Sequence, residues 1–339
     1  MHGKPISEPL KKIRSMTSTT GIYQHGKLNK PDPSFGYAIE DQARALIVAY
    51  EFQDKSLCDI YLNFIKKAQR ADGLLYHFYY DNNGAGLFKD EENNAKTNVK
   101  EAYGLTLWSL LKTKNNLNDE ISKIILNLIK DARSWTSPRA LSAALLGLLN
   151  LDCQESLENE LKLKLHNFYF ETYSGNWMWF ENYLVYANAI IPWALWEIYL
   201  KRKCKTSFEI AKKTTEFLID NCQEHGIPSP IGSEGWYFKG HTKALFDQQP
   251  IDAAYMVCCL EKAYNATGSD LYADWAKKWY KWFYGNNINK VSLIDKNLAC
   301  YDGLNPQGLN LNQGAESNIC FLMAYLAAKR MGIEARGKP

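Results

Sequence analysis

At 339 residues, 46% hydrophobic and 23% charged, the chain has apolar material for one large closed fold or two ordinary domains. Its net charge of +3, from 40 Lys and Arg against 37 Asp and Glu, makes no electrostatic case for nucleic acid or an anionic membrane. No apolar run approaches a membrane span and the first 21 residues lack a signal-peptide core, so a soluble, cytoplasmic protein is expected.

In chain order the pattern is helix after helix, in two alternating kinds. Segments 41–52, 100–113, 138–151, 186–200, 250–264 and 314–329 are apolar nearly all round, as helices surrounded by protein are. Segments 56–70, 118–135, 156–170, 207–222 and 269–285 are amphipathic and carry lysines, with one face for packing and one for water. Residues 5–16 supply a sixth outer helix. The best candidate strand, GLLYHFYYD at 73–81, is short and isolated.

Inner helices reach their outer partners through short turns. The return path takes long loops rich in Gly, Asn and aromatics at 71–97, 171–185, 223–249 and 286–313, and a short one at 133–137. Helical hairpins recurring every ~40–65 residues, with buried and exposed members alternating, predict an all-α (α/α)6 toroid rather than an open solenoid. The predicted organisation is an N-terminal segment 1–16, one toroid domain over 17–331 and a tail over 332–339.

Closure of such a ring places the starts of all inner helices at one rim. Those starts carry Tyr37, Glu40, Asp41 and Arg44; Asn98 and Glu101; Ser137 and Arg139; Glu181, Tyr186 and Asn188; Asp247, Gln248, Gln249 and Asp252; and Tyr301, Asp302, Asn312, Gln313 and Glu316. Capping accounts for Ser137 and Asp247. Amides, carboxylates and aromatic rings together suit a polyhydroxylated ligand, with Trp177, Trp179, Tyr186, Trp236 and Tyr237 available to stack on a sugar ring. The competing reading of each acid is an ion-pair partner of Arg44, Arg139 or Lys243, and of each aromatic, core filling.

TGIYQHGKLNKPDPSFGYAIEDQARALI, SPRALSAALLGL, WFENYLVYANAIIPWAL, KALFDQQPIDAA and CYDGLNPQGLNLNQGAES together resemble the helical domain fused to, or encoded beside, bacterial family-4-type glycosyltransferases. That domain belongs to the six-hairpin glycosidase-like superfamily, and the resemblance runs from about residue 16 to 331. It implies a carbohydrate-active protein of glycoside hydrolase or phosphorylase type, with a neighbouring glycosyltransferase as partner. The related pattern has two aspartates where this chain has Glu40–Asp41, which preserves charge, and Asp where this chain has Asn182, which does not.

Glycosidic cleavage takes two carboxyl groups, one of them an acid whose pKa is raised by apolar surroundings or a neighbouring carboxylate. Asp41 or Glu181 is the expected acid and Glu316 or Asp247 the expected base. Tyr37, Glu40, Arg44, Arg139, Trp177, Trp179, Tyr186, Asn188, Gln248, Gln249, Asp302 and Gln313 are the expected substrate contacts. Sugar epimerisation on the same toroid would draw on His25, His77 or His241, whereas His166 reads as surface or packing. A third reading is a non-catalytic oligosaccharide-binding module.

There is no GxxxxGK[ST], HExxH or GxSxG motif, and the Gly-rich 226–235 reads as loop. Eight cysteines without a CxxC pair point to free thiols in a reducing compartment. No metal or cofactor is expected.

Overall fold

The computed structural model describes residues 8–82, 85–90, 99–113, 118–151 and 155–334; Asn98, Cys153 and the predicted terminal residues 1–7 and 335–339 lie outside these. The inner helices are α2 (Ile39–Glu51), α4 (Val99–Lys112), α6 (Pro138–Leu148), α8 (Ile190–Arg202), α10 (Pro250–Thr267) and α12 (Ala315–Arg330). The outer ones are α1 (Lys11–Met16), α3 (Lys55–Lys67), α5 (Asp119–Ala132), α7 (Glu155–Thr172), α9 (Lys205–Asn221) and α11 (Asp270–Trp282). Each inner helix packs on the next, and α12 packs back on α2. The ring closes as an (α/α)6 toroid.

Burial follows the two sequence patterns. Every residue of α6 is buried, whereas α5 buries only Ile121, Ile124, Ile125, Leu128 and Ala132, a single stripe at helical spacing. Each enclosed aliphatic side chain contributes roughly 1.5–3 kcal/mol, which is why the apolar helices take the inside. Helices α4 and α6 approach closely because glycine lies in their contact. A Cβ on Gly104 would sit 2.6 Å from the Ala140 carbonyl oxygen, and one on Gly147 would sit 2.8 Å from Trp108 Cα. The short α1 packs beside α12.

The structure corrects two local expectations. The fourth inner helix starts at Ile190 rather than 186, because Ala187 turns through φ +52° and holds Tyr186 and Asn188 in the rim. The strand at Phe78–Asn82 is not isolated; it pairs with Tyr37–Ala38 on one side and Ala85–Lys89 on the other. The first of those partners has only two residues, too few to be read locally as a strand. No helix of the described residues is long and apolar enough to cross a membrane. Among the described residues Cys58, Cys204, Cys222, Cys258, Cys259, Cys300 and Cys320 are free thiols.

Candidate active site

The first turn of α2 sets the geometry of the rim. Its N-cap, Ala38, is extended backbone with no side-chain cap, and the amide of Ile39 donates to the His77 carbonyl at 3.0 Å. That bond draws His77 against the helix end, where Nε2 lies 2.7 Å from Glu40 Oε2. Burial acts to raise the pKa of Glu40, but the hydrogen bond and charge of His77, with Arg44, hold it below the usual value. Glu40 is therefore ionised.

Asp41, only 3% exposed, has the opposite fate. Burial pushes its pKa well up; Arg44 pulls against this, and Glu40, Glu316 and Asp302 push it further. A helix N-terminus stabilises a carboxylate by ~0.3–1 kcal/mol, whereas burying an ion costs several kcal/mol. The dipole cannot offset that burial, so the pKa of Asp41 stands well above the usual carboxylate range despite Arg44.

Arg44 joins opposite ends of the chain. Its Nη1 lies 3.2 Å from Asp41 Oδ1 and 3.1 Å from Glu316 Oε2, in the first turn of α12. Two carboxyl groups so placed around one nitrogen have their nearer oxygens no farther apart than twice that contact distance. Beside them Asp302 Oδ1 accepts from the Gly314 amide and the Ser317 hydroxyl, both at 2.6 Å.

A second cluster lies at the starts of α4 and α6 and in the loop before α8. Glu101 accepts from Tyr186 Oη at 2.6 Å and from Ser137 Oγ at 2.8 Å. Arg139 donates to Glu181 Oε2 at 2.8 Å, to the Tyr186 carbonyl at 2.8 Å and to Asn188 Oδ1 at 3.0 Å. Its guanidinium also lies over the Tyr186 ring, 5.3 Å from the centroid.

Between and beside the clusters lie three adjoining hollows. An acidic hollow of about 690 Å³ is lined by Glu40, Asp41, Gln249, Asp302 and Glu316, among others. A central hollow of about 280 Å³ shares Glu40 and Glu316 with it and adds Arg44, His77, Tyr255 and an aliphatic floor that includes Leu105 and Ile190. A third, of about 600 Å³, shares Glu101, Arg139 and Tyr186 with the central one and adds Glu181, Tyr183 and Phe238.

Of the expected acids and bases, Asp41 and Glu316 meet in the acidic hollow, while Glu181 lies in the third, occupied by Arg139. Asp247 lines none of these three hollows, and Gln249 rather than Asp247 is the N-cap residue of α10. Among the expected contacts, Glu40, Arg44, Arg139, Tyr186, Gln249 and Asp302 line the hollows.

The others are structural. Trp177 is 5% exposed, donates to the Glu181 carbonyl and meets Phe217 and Tyr237 edge-on; Trp179 is fully buried against Phe180 and Phe217. Neither ring has a face left for a sugar. Gln248 is fully buried, donating to Ser229 and accepting from Trp282, and Gln313 is held by Asp295. Tyr37 stacks on Tyr23 and shares a hydrogen bond with Ser18. Asn188 is buried and orients Arg139. Local polarity could not reveal that these groups satisfy one another.

His25 and His77 line hollows, His241 is exposed and lines none of the three, and His166 is a packing residue bonded to Ser207. Tyr183, Phe238 and Tyr255 are lining residues not expected from the sequence; Glu101, expected there as a rim residue, and His77, expected there for epimerisation, also line the hollows. Glu101, like Asp41 and Asp252, is the third residue of its inner helix.

Asp252 lies 5% exposed at the start of α10, and its Oδ2 has no partner among the described residues. Burial raises its pKa from 3.8 to about 8 against the pull of the Ala187 amide and Arg139. The unfolded chain releases this proton near the ordinary value and the folded chain holds it, so stability falls as pH rises between the two. Asp252→Asn should therefore gain on the wild type by on the order of 1 kcal/mol or more between about pH 5 and about pH 8. Urea unfolding of both proteins at the two pH values measures this; a constant difference would mean that Asp252 does not hold a proton in the folded state.

The fold and the carboxylate-lined rim place the chain among (α/α)6 toroid proteins. Neither a protein-family model nor a curated protein sequence matches it. Among solved structures it is similar to a sugar epimerase from a ruminal bacterium, with TM-score 0.69 and 12% identity over 96% of this chain and 98% of that one. It is similar also to the cellobiose 2-epimerase of Bacillus thermoamylovorans B4167, with TM-score 0.69 and 9% identity over 94% and 95%. An α-1,6-mannanase from Salegentibacter sp. matches with TM-score 0.62 and 11% identity over 96% and 97%. These likenesses establish the fold.

Proposed function

We propose that the protein is a carbohydrate-active enzyme that cleaves an oligosaccharide by carboxylate chemistry, with Asp41 as the acid and Glu316 as its carboxylate partner. The observation that carries this reading is a buried Asp41 beside Glu316, both in contact with Arg44, in a hollow open at the rim. A carboxyl group whose pKa is raised by burial, with a second carboxylate close enough to reach the same glycosidic bond, is what hydrolysis requires; in phosphorolysis phosphate takes the part of the nucleophile. Asp41 gives its proton to the leaving oxygen, and Glu316, 43% exposed at its side chain, faces the reacting carbon or its water. The names of similar structures, an α-1,6-mannanase among them, support a sugar substrate.

The assay is incubation with manno- and gluco-oligosaccharides, with and without phosphate, followed by reducing-end analysis. New reducing ends support hydrolysis, and cleavage only with phosphate supports phosphorolysis. Binding with neither cleavage nor isomerisation of the sugar would reassign the chain as a non-catalytic oligosaccharide-binding module.

One observation favours a second reading. His77 lines the central hollow and is held by Glu40, an arrangement suited to moving a proton beside a sugar carbonyl, and two of the similar structures are named as epimerases. His77→Gln separates the readings. Under hydrolysis its cleavage rate should fall by less than the ~10²-fold that accompanies loss of a proton-transfer group. Deuterium uptake from heavy water into an uncleaved sugar, lost in the same variant, would establish the epimerase instead.

A further inference from the structure

Phe238 is 47% exposed, yet it is not on a loose tip. The strand Tyr237–Phe238 pairs antiparallel with Tyr183–Leu184, so that Tyr183 and Phe238 stand directly opposite with ring centroids 6.1 Å apart. This pair forms one wall of the third hollow. Lys100, Thr136 and Ser137 lie among its other lining residues, and Glu101, Arg139 and Tyr186 join it to the central hollow.

The chemistry assigned to Asp41 and Glu316 uses none of these wall residues. An apolar ring held in place by strand pairing beside hydroxyls and charged groups matches a sugar ring, which has an apolar C–H face and a polar edge. The acidic hollow lies at the α2 and α12 starts, and this one at the α4 and α6 starts. A ligand filling both must cross the central hollow.

We infer that the third hollow is a distal subsite, and that the substrate is an extended oligosaccharide of at least three rings, one to each hollow, with Phe238 as the stacking platform for its far ring. This rests on the carbohydrate reading above and adds to it the length and course of the substrate. Trp177 and Trp179 are buried in the core, so the aromatic surface here comes from the exposed Phe238 with the half-buried Tyr183 and Tyr186.

The test uses the full chain with manno- and gluco-oligosaccharides of one to six rings. Calorimetric affinity and kcat/KM should rise until the chain spans the three hollows and then level off. In Phe238→Ala the gain from two rings to four should shrink by about tenfold, and Phe238→Tyr should restore it. Turnover or binding that is flat with chain length would overturn the subsite and leave the catalytic reading standing. Length-dependent binding without cleavage would overturn the catalytic reading and leave the subsite. Failure of every chain to bind would overturn both. The wild-type length series decides the matter even should Phe238→Ala fold poorly.

Discussion

Asp41→Asn is expected to lower kcat on a natural oligosaccharide by about 10²–10⁴-fold, the usual contribution of a positioned proton donor, with little change in KM. The amide keeps the shape of the side chain and its contact with Arg44 but has no acidic proton to give. Two further readouts distinguish loss of the acid from a general loss of structure. A substrate with an activated leaving group, such as a nitrophenyl glycoside, needs no protonation and should still be cleaved by the variant. On the natural substrate the wild-type rate should fall as pH rises through the elevated pKa of Asp41, because burial and the neighbouring Glu40, Glu316 and Asp302 hold the proton on only up to that point. With the activated substrate, the variant should lack this alkaline fall. Wild-type turnover in Asp41→Asn would remove Asp41 from the mechanism, and Glu181, with Arg139 against it, would be the remaining expected acid.

Arg139→Met should destabilise the protein by about 3–5 kcal/mol. Arg139 is 5% exposed and the side chain of Glu181 11%, so removing the guanidinium leaves a desolvated carboxylate without its partner. The Tyr186 carbonyl and Asn188 Oδ1 lose their donor as well. Most of the loss comes from the stranded charge, so Arg139→Met combined with Glu181→Gln should recover a large part of it. Urea unfolding of the wild type, both single variants and the double variant forms the required cycle. A single-variant cost below about 1 kcal/mol would show that the pair is screened by water and does not organise the rim.

The two clusters differ in how far they could be read from the sequence. Glu40, Asp41 and Arg44 stand within one helical turn, so their association is local and shows in the string EDQAR. The contact of Arg44 with Glu316 is not local, and neither is that of Glu101 with Tyr186, 85 positions away. Aromatic residues are the hardest case. Trp177, Trp179 and Phe238 all lie in long rim loops, and composition treats them alike. The fold buries the first two against Phe217 and leaves the third exposed by pairing its strand with Tyr183–Leu184. Gln248 likewise looks like a ligand contact in FDQQPID, but it is consumed by Ser229 and Trp282.

By itself, the sequence determined the alternation of enclosed and half-exposed helices, the asymmetry of their connections and hence the closed ring. Each helix encodes its own burial in the period of its apolar residues, and that period needs no knowledge of the partner. Tertiary structure alone decided which polar groups at the rim satisfy one another and which are left facing the hollows. Partner choice there depends on ring closure, which joins Leu28 to Asn312 across 284 positions, and on distances of a few ångströms between loops with no repeating pattern to reveal them.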